Sequence, residues 1–185
     1  TIYDLGCSLG GATFAAAYQV SCSDYSIVAV DNSPAMIDKL QHRLATEPGQ
    51  RDHIQCRCED ISATEISNAS VIVLNFSLQF IPLAQRHQLL EKLFQGLNPG
   101  GILIISEKIL FPDNSLNRLF SDLYHNFKES RGYSQLEISQ KRAALENILI
   151  PETLNTHRSR LATIGFRSFD VWFQCFNFAS MVAFR

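Results

Sequence analysis

The residues of this sequence that could do chemistry gather where apolar runs end. The segment "YDLGCSLGG", residues 3–11, places Gly6, Gly10 and Gly11 directly behind a run that ends in an acid, Asp4. Glycines there allow a sharp turn and let a ligand lie against bare backbone. A dinucleotide site would ask for G-x-G-x-x-G. Here Ser8 stands in the place of the second glycine, and an acid two residues before Gly6 suits a ligand with a cationic centre better than one with two phosphates. Asp31 ends the next run, "SIVAVD", where a carboxylate can accept hydrogen bonds from both hydroxyls of a ribose. Asp60 and Ile61 follow a third run, and Asn75 ends a fourth, "ASVIVLN". Arg142, in "SQKR", reads on its own as a helix residue with a solvated charge.

Such residues meet only if the runs are parallel strands. "TIYDL" is followed by the helical "GGATFAAAYQV", and "SIVAVD" by "SPAMIDKLQHRLA", with Ser33 as N-cap and Pro34 at the first helical position. "HIQCRCED" is a weaker strand, and "ASVIVLNF" reads as a central strand buried on both faces. "PLAQRHQLLEKLFQGL" has helical spacing, "NPGG" stops it, and "ILIISE" is a further strand. Alternation of this kind predicts a doubly wound α/β fold, with a mostly parallel sheet and helices on both faces. Residues 111–165 interrupt it with three helices, over "PDNSLNRLFSDLYHNFKES", over "SQLEISQKRAALENIL" behind a Ser134/Glu137 capping box, and from Pro151 to a cap at Gly165. This surplus is the place for a helical insert or lid, and Tyr124, His125 and Tyr133 lie within it. "RSFDVWFQCFNFASMVAFR" predicts a C-terminal antiparallel hairpin turning near Asn177.

Composition narrows the class. A chain of 185 residues, 46% apolar and 18% charged, is sized for a single domain, residues 1–185. A formal net charge of −2 without blocks of like charge argues against direct nucleic-acid binding and favours a small-molecule partner. No apolar run approaches the roughly 20 residues of a membrane span, so no membrane association and a cytoplasmic location are expected. The five cysteines are odd in number; Cys56 and Cys58 form C-x-C without a histidine at zinc-finger spacing, and no metal is expected. Thr1 already lies inside an apolar run and the only methionines are Met36 and Met181, so the natural chain is expected to begin upstream.

Asp4–Gly10, D-x-G-x-S-x-G, resembles the first motif of the class I S-adenosylmethionine-dependent methyltransferases, a Rossmann-like family. That resemblance puts Asp60 and Ile61 where the family holds adenine, and Asn75 facing the reacting end of the cofactor. Acceptor motifs of the N-P-P-Y/F or P-C kind are missing. The strings "YDLGCSLG", "DNSPAMI", "NASVIVLNFSLQF", "GLNPGG", "SEK", "GYSQLEISQKRAALEN" and "WFQCFNF" together resemble, from residue 1 to 185, the carboxy-S-adenosyl-L-methionine synthases. The resemblance implies conversion of S-adenosylmethionine and prephenate to carboxy-S-adenosylmethionine and phenylpyruvate. Carbon dioxide lost from prephenate is captured by the sulfonium methyl carbon after that carbon gives up a proton. It further implies Gly6, Cys7 and Ser8 on the methionine part, Asp31 and Asn32 on the ribose, Asp60 and Ile61 on adenine, Asn75 near the reacting centre and Arg142 on the carboxylate. An upstream tyrosine that contacts the cofactor in that family has no counterpart in residues 1–185. A homodimer is implied too, as is a tRNA carboxymethyltransferase that uses the product on a wobble uridine. Three other readings stay open on the residues alone: an ordinary methyltransferase acting on a small molecule or tRNA, a nucleotide-binding module without turnover, and, more distantly, a dehydrogenase.

Overall fold

The computed structural model describes residues 1–46, 51–145 and 148–185, apart from the side chains of Arg51 and Arg142. Each apolar run becomes a strand of one sheet. Ile2–Leu5 (β1), Ile27–Asp31 (β2), Ile54–Cys58 (β3), Ala69–Asn75 (β4) and Leu97–Leu110 (β5) pair in parallel. The helices Gly11–Gln19 (α1), Pro34–Thr46 (α2) and Leu83–Gly96 (α3) lie between successive members of that set. Asn114–Ser130 (α4), Gln135–Leu145 (α5), the two-residue strand Glu152–Thr153 (β6) and Leu154–Ile164 (α6) follow. Ser168–Cys175 (β7) and Phe178–Phe184 (β8) form the expected hairpin, and β8 runs antiparallel to both β5 and β7.

The strand order is β3-β2-β1-β4-β5-β8-β7, with β6 paired beside β5. It reverses between β1 and β4, and the crevice at that reversal is where open α/β sheets bind ligands. On one face Leu5, Val30, Ile72, Leu74, Leu103, Ile105 and Met181 pack against Leu89, Leu90 and Leu93 of α3 and Leu161 of α6. On the other, Cys7 and Ala29 pack with Phe14 of α1 and with Ile37 and Leu40 of α2. No helix among the described residues is long and apolar enough to cross a membrane.

Local signals act as read. Pro34 opens α2, and the Ser33 carbonyl accepts from the N–H groups of Met36 and Ile37. Ser134 and Glu137 exchange hydrogen bonds ahead of α5, and Gly165, at φ +119°, closes α6. Four expectations are corrected. "NPGG" does not precede β5 but forms an irregularity inside it: Ala69 pairs with Leu97 and Val71 with Ile102, so Asn98–Gly101 are absorbed between, with Gly100 at φ +79°. β4 is fully buried only at alternate positions: Ile72 and Leu74 are enclosed, whereas Val71 and Val73, on the face where α1 and α2 cover β2 and β3, stay half-buried. Pro151 does not open α6; Glu152 and Thr153 first pair with Ile109 and Leu110, and Thr153 supplies the cap by accepting from the Thr156 N–H. The helix read over 134–149 spans Gln135–Leu145, and positions 146 and 147 of that reading lie outside the described residues.

Of the helices in 111–165, α6 packs on α3 and buries His157 and Leu161, while α4 has no buried residue and presents Leu116, Leu119, Leu123 and Phe127 to solvent.

Candidate functional site

The carboxyl ends of β1, β2, β3 and β4 and the loops that follow them carry Gly6, Cys7, Ser8, Asp31, Asn32, Asp60, Ile61 and Asn75, whereas Arg142 and the aromatic residues of the insert lie elsewhere in the chain. Gly6 and Cys7 donate their N–H groups to the Val30 carbonyl, which stitches the glycine loop to β2. Gly6 is held at φ +84°, and a Cβ there would lie 2.2 Å from Ser77 Oγ and 2.8 Å from Ser77 Cβ. The first glycine is therefore required by the close approach of the loop after β4 as well as by its own dihedral.

Asp4 is buried, and its Oδ2 accepts from both the N–H and the hydroxyl of Thr13, at 2.9 and 2.6 Å, pinning the first turn of α1 to β1. Its Oδ1 is buried without a hydrogen-bond partner among the described residues, and burial raises its pKa above the usual carboxylate range. Asp31 bridges two loops: Oδ2 accepts from the Ser8 N–H and Oδ1 from the Ser33 N–H, each at 2.9 Å. Each oxygen keeps a lone pair for a further donor. Ser8 and Asn32 are exposed beside it. Cys7 is different, since its thiol is buried beside Phe14 and Leu40 and burial, with Asp4 and Asp31 adding, pushes its pKa up. Its carbonyl accepts from the Gly10 N–H at 2.8 Å, which closes the glycine loop on itself.

Asp60 is exposed and its Oδ1 accepts from the Ser62 N–H at 2.7 Å, shaping the turn, while Ile61 packs into the main core at 8% exposure. Asn75 is exposed at the end of β4 and borders a cavity of about 360 Å³ walled by Phe76, Trp172, Phe173 and Phe178. Within it Ser180 Oγ accepts from Trp172 Nε1 and from Ser106 Oγ. Tyr124 of α4 packs edge-on to Phe178, 4.8 Å between centroids, so the insert touches this cavity's wall. His125 neighbours Tyr124, and Tyr133 is exposed near the Lys128 ammonium. Arg142 lies on α5, and its side chain falls outside the described residues.

Sequence reading missed the groups that hold these loops. Lys92 of α3 donates to the carbonyls of Ile61, Ser62 and Thr64 at 2.8–3.0 Å and so clamps the loop after β3. Burial lowers its pKa while Asp60 and Glu59 oppose. Glu107 accepts from the N–H groups of Leu78 and Gln79, and Arg86 reaches Gln79 and Ile81 carbonyls from below. A signal existed for both: Arg86 falls on the Leu89–Leu90–Leu93 face of α3, and Glu107 interrupts the apolar run of β5. Among the described residues no cluster of three or more His, Cys, Asp or Glu is placed to hold a metal.

A protein-family profile described as "Methyltransferase domain" matches residues 2–101. The carboxy-S-adenosyl-L-methionine synthase of Trichlorobacter lovleyi is 53% identical over 183 residues, covering 99% of this chain and 75% of that protein. The protein of the same name from Shewanella baltica is 51% identical over 184 residues, covering 100% and 75%. Among solved structures, an O-methyltransferase family 2 protein of Planctomyces limnophilus in complex with apigenin superposes with a TM-score of 0.72 at 19% identity, covering 100% of this chain and 50% of that one. Human N-acetylserotonin methyltransferase in complex with S-adenosylmethionine gives 0.65 at 18%, covering 100% and 47%. At that identity the two structures share the class I methyltransferase fold with this chain, which spans about half their length.

Proposed function

The chain belongs to the carboxy-S-adenosyl-L-methionine synthase family, and from that membership we infer that it converts S-adenosylmethionine and prephenate to carboxy-S-adenosylmethionine, phenylpyruvate and water. The observation that carries this reading is identity of more than half the residues across 99% of the chain. The reaction needs a cradle for a sulfonium nucleoside, a fixed cation for a carboxylate, and exclusion of water so that carbon dioxide is captured.

The residues fit such a nucleoside. A loop that leaves no room for a Cβ at Gly6, an orphaned acceptor on Asp4 and a carboxylate at the end of β2 make a bare, negatively polarised crevice. Within it the backbone of Gly6, Cys7 and Ser8 holds the methionine part, and Asp31 with Asn32 accepts from the ribose hydroxyls. Asp60 accepts from the adenine amine, Ile61 backs the ring, and Asn75 orients the reacting end. Arg142, carried over from "SQKR", grips the carboxylate of prephenate and then that of the product through paired hydrogen bonds. Residues 111–165 serve as the lid that keeps water out, an assignment supported by the contact of Tyr124 with the cavity wall.

The protein acts in the cytoplasm as a homodimer, a reading supported by the apolar stripe Leu116–Leu119–Leu123–Phe127 on α4. Its product feeds a tRNA carboxymethyltransferase, while the chain itself, at net charge −2, holds no nucleic acid. The test is incubation of the full-length protein with S-adenosylmethionine, with and without prephenate, followed by mass spectrometry. A cofactor heavier by one carbon dioxide, formed together with phenylpyruvate, is expected. Unchanged S-adenosylmethionine, or S-adenosylhomocysteine produced with a methyl acceptor, would overturn the reading.

A further inference from the structure

Two buried ionisable side chains beneath the loop after β4 take no part in the ligand contacts above. Arg86 is 1% exposed, and its guanidinium serves four acceptors. Nε donates to the Ile81 carbonyl at 2.9 Å, Nη1 to Glu152 Oε2 at 2.6 Å, and Nη2 to the carbonyls of Gln79 at 3.1 Å and Ile150 at 2.8 Å. Two of these acceptors belong to the loop 76–81 and two to the segment 150–152, which leads out of the helices α4 and α5. The Ile150 N–H closes the same seam by donating to the Gln79 carbonyl at 2.9 Å. From the other side Glu107, also 1% exposed, accepts from Leu78 and Gln79 N–H at 2.9 and 3.0 Å, and the Gln79 side-chain oxygen accepts from the Lys108 N–H at 3.0 Å.

Burying the ion-paired Arg86 guanidinium is costly, and apolar side chains of the same volume often stabilise a core at least as well. What a rigid fork of donors adds is a fixed register between the segments it bridges. Here the bridged pieces are the loop that presses Ser77 on Gly6 and the root of the insert that carries Arg142.

We propose that Arg86 and Glu107 are positioning residues, Arg86 locking the loop 76–81 to the root of the insert and Glu107 fixing the same loop to β5, and that together they set where the carboxylate-gripping helix stands relative to the glycine loop and Asn75. The proposal rests on the functional reading above. Asp31 and Asp60 lie on the far side of the β1/β4 reversal from the seam, and none of the hydrogen bonds of Arg86 or Glu107 reaches the loops that carry them, so the ribose and adenine contacts should survive its loss.

Full-length Arg86→Met, Arg86→Lys and Glu107→Gln proteins test this, with folding followed by thermal melts, S-adenosylmethionine affinity by calorimetry, and prephenate kinetics by mass spectrometry of the product. Misplacing reacting groups by an ångström costs about 100-fold. The prephenate kcat/KM of Arg86→Met should therefore fall ~10- to 100-fold, with S-adenosylmethionine affinity within about threefold of wild type. Arg86→Lys should not restore it, because one ammonium cannot span both segments. If Arg86→Met does not fold, Glu107→Gln, of unchanged shape, decides the matter by the same criteria. Unaltered kcat/KM in a folded variant, an equal loss of S-adenosylmethionine affinity, or failure of both variants to fold each overturns the proposal and leaves the functional reading intact. Wild-type protein that forms no carboxy-S-adenosylmethionine overturns both.

Discussion

Replacing Gly6 with alanine should cost stability by two separable routes. Gly6 sits at φ +84°, where an L side chain is strained by about 1–2 kcal/mol. The new Cβ would also stand 2.2 Å from Ser77 Oγ and 2.8 Å from Ser77 Cβ. Rotating the hydroxyl removes the first contact but not the second, and Ser77 cannot retreat because the next two residues are bonded to Glu107. Overpacking of this kind costs about 1–3 kcal/mol, for a total of ~2–5 kcal/mol. Ser77→Gly removes both clashing atoms and leaves the strained dihedral in place. Urea unfolding of wild type, Gly6→Ala, Ser77→Gly and the double variant forms a double-mutant cycle. The coupling should be favourable by about 1–3 kcal/mol, the packing share alone. A Gly6→Ala protein as stable as wild type, or a cycle that closes to zero, would refute the reasoning that β1 and β4 loops press on each other at this glycine.

Asp31→Ala should weaken S-adenosylmethionine binding by about 1–3 kcal/mol, the scale of hydrogen bonds to a charged group, and unchanged affinity by calorimetry would remove Asp31 from the ribose site. Arg142→Ala should abolish prephenate-dependent product while S-adenosylmethionine still binds; a competition assay showing both retained would dismiss Arg142 as the carboxylate ligand. Stability should also vary with pH in a sequence of limbs. Burial pushes the Glu107 carboxyl up to about 8 from an ordinary 4.5, against the opposing N–H groups of Gln79 and Leu78 and the charge of Arg86. The folded state then holds the extra proton, and stability falls as pH rises between those values. Burial pushes His157 down to about 4 from 6.5, so its contribution is lost as pH falls through that interval. Glu152, which burial alone would raise, is held down to about 2 by Arg160 and Arg86 and protects the fold until pH drops below 4.5. The Glu107 and His157 slopes offset each other between pH 4.5 and 6.5, leaving a decline from 6.5 to about 8 that Glu107→Gln should flatten in urea titrations. Persistence of that decline in Glu107→Gln would assign it to another group.

The sequence by itself determined the parallel sheet and the edge on which the site lies. Runs that end in Asp31 and Asn75 alternate with helices whose punctuation is local: Pro34 at the start of α2, the Ser134–Glu137 box before α5, Gly165 behind α6. A βαβ unit delivers every strand end to the same edge, so polar residues there converge without any long-range contact being known. What only the tertiary structure decided depends on partners distant along the chain. Pro151 reads as a helix start, yet Arg86 and β5 draw the following residues into β6 first, through a contact with Glu152 that spans 66 positions. Asp4 reads as a charge for the ligand, and one of its oxygens is spent on Thr13. Lys92, Arg86 and Glu107 belong to amphipathic or apolar patterns whose period states which face they occupy but not which loop they meet. Periodicity encodes direction within one element, whereas a hydrogen bond across the fold depends on where two elements come to rest against each other.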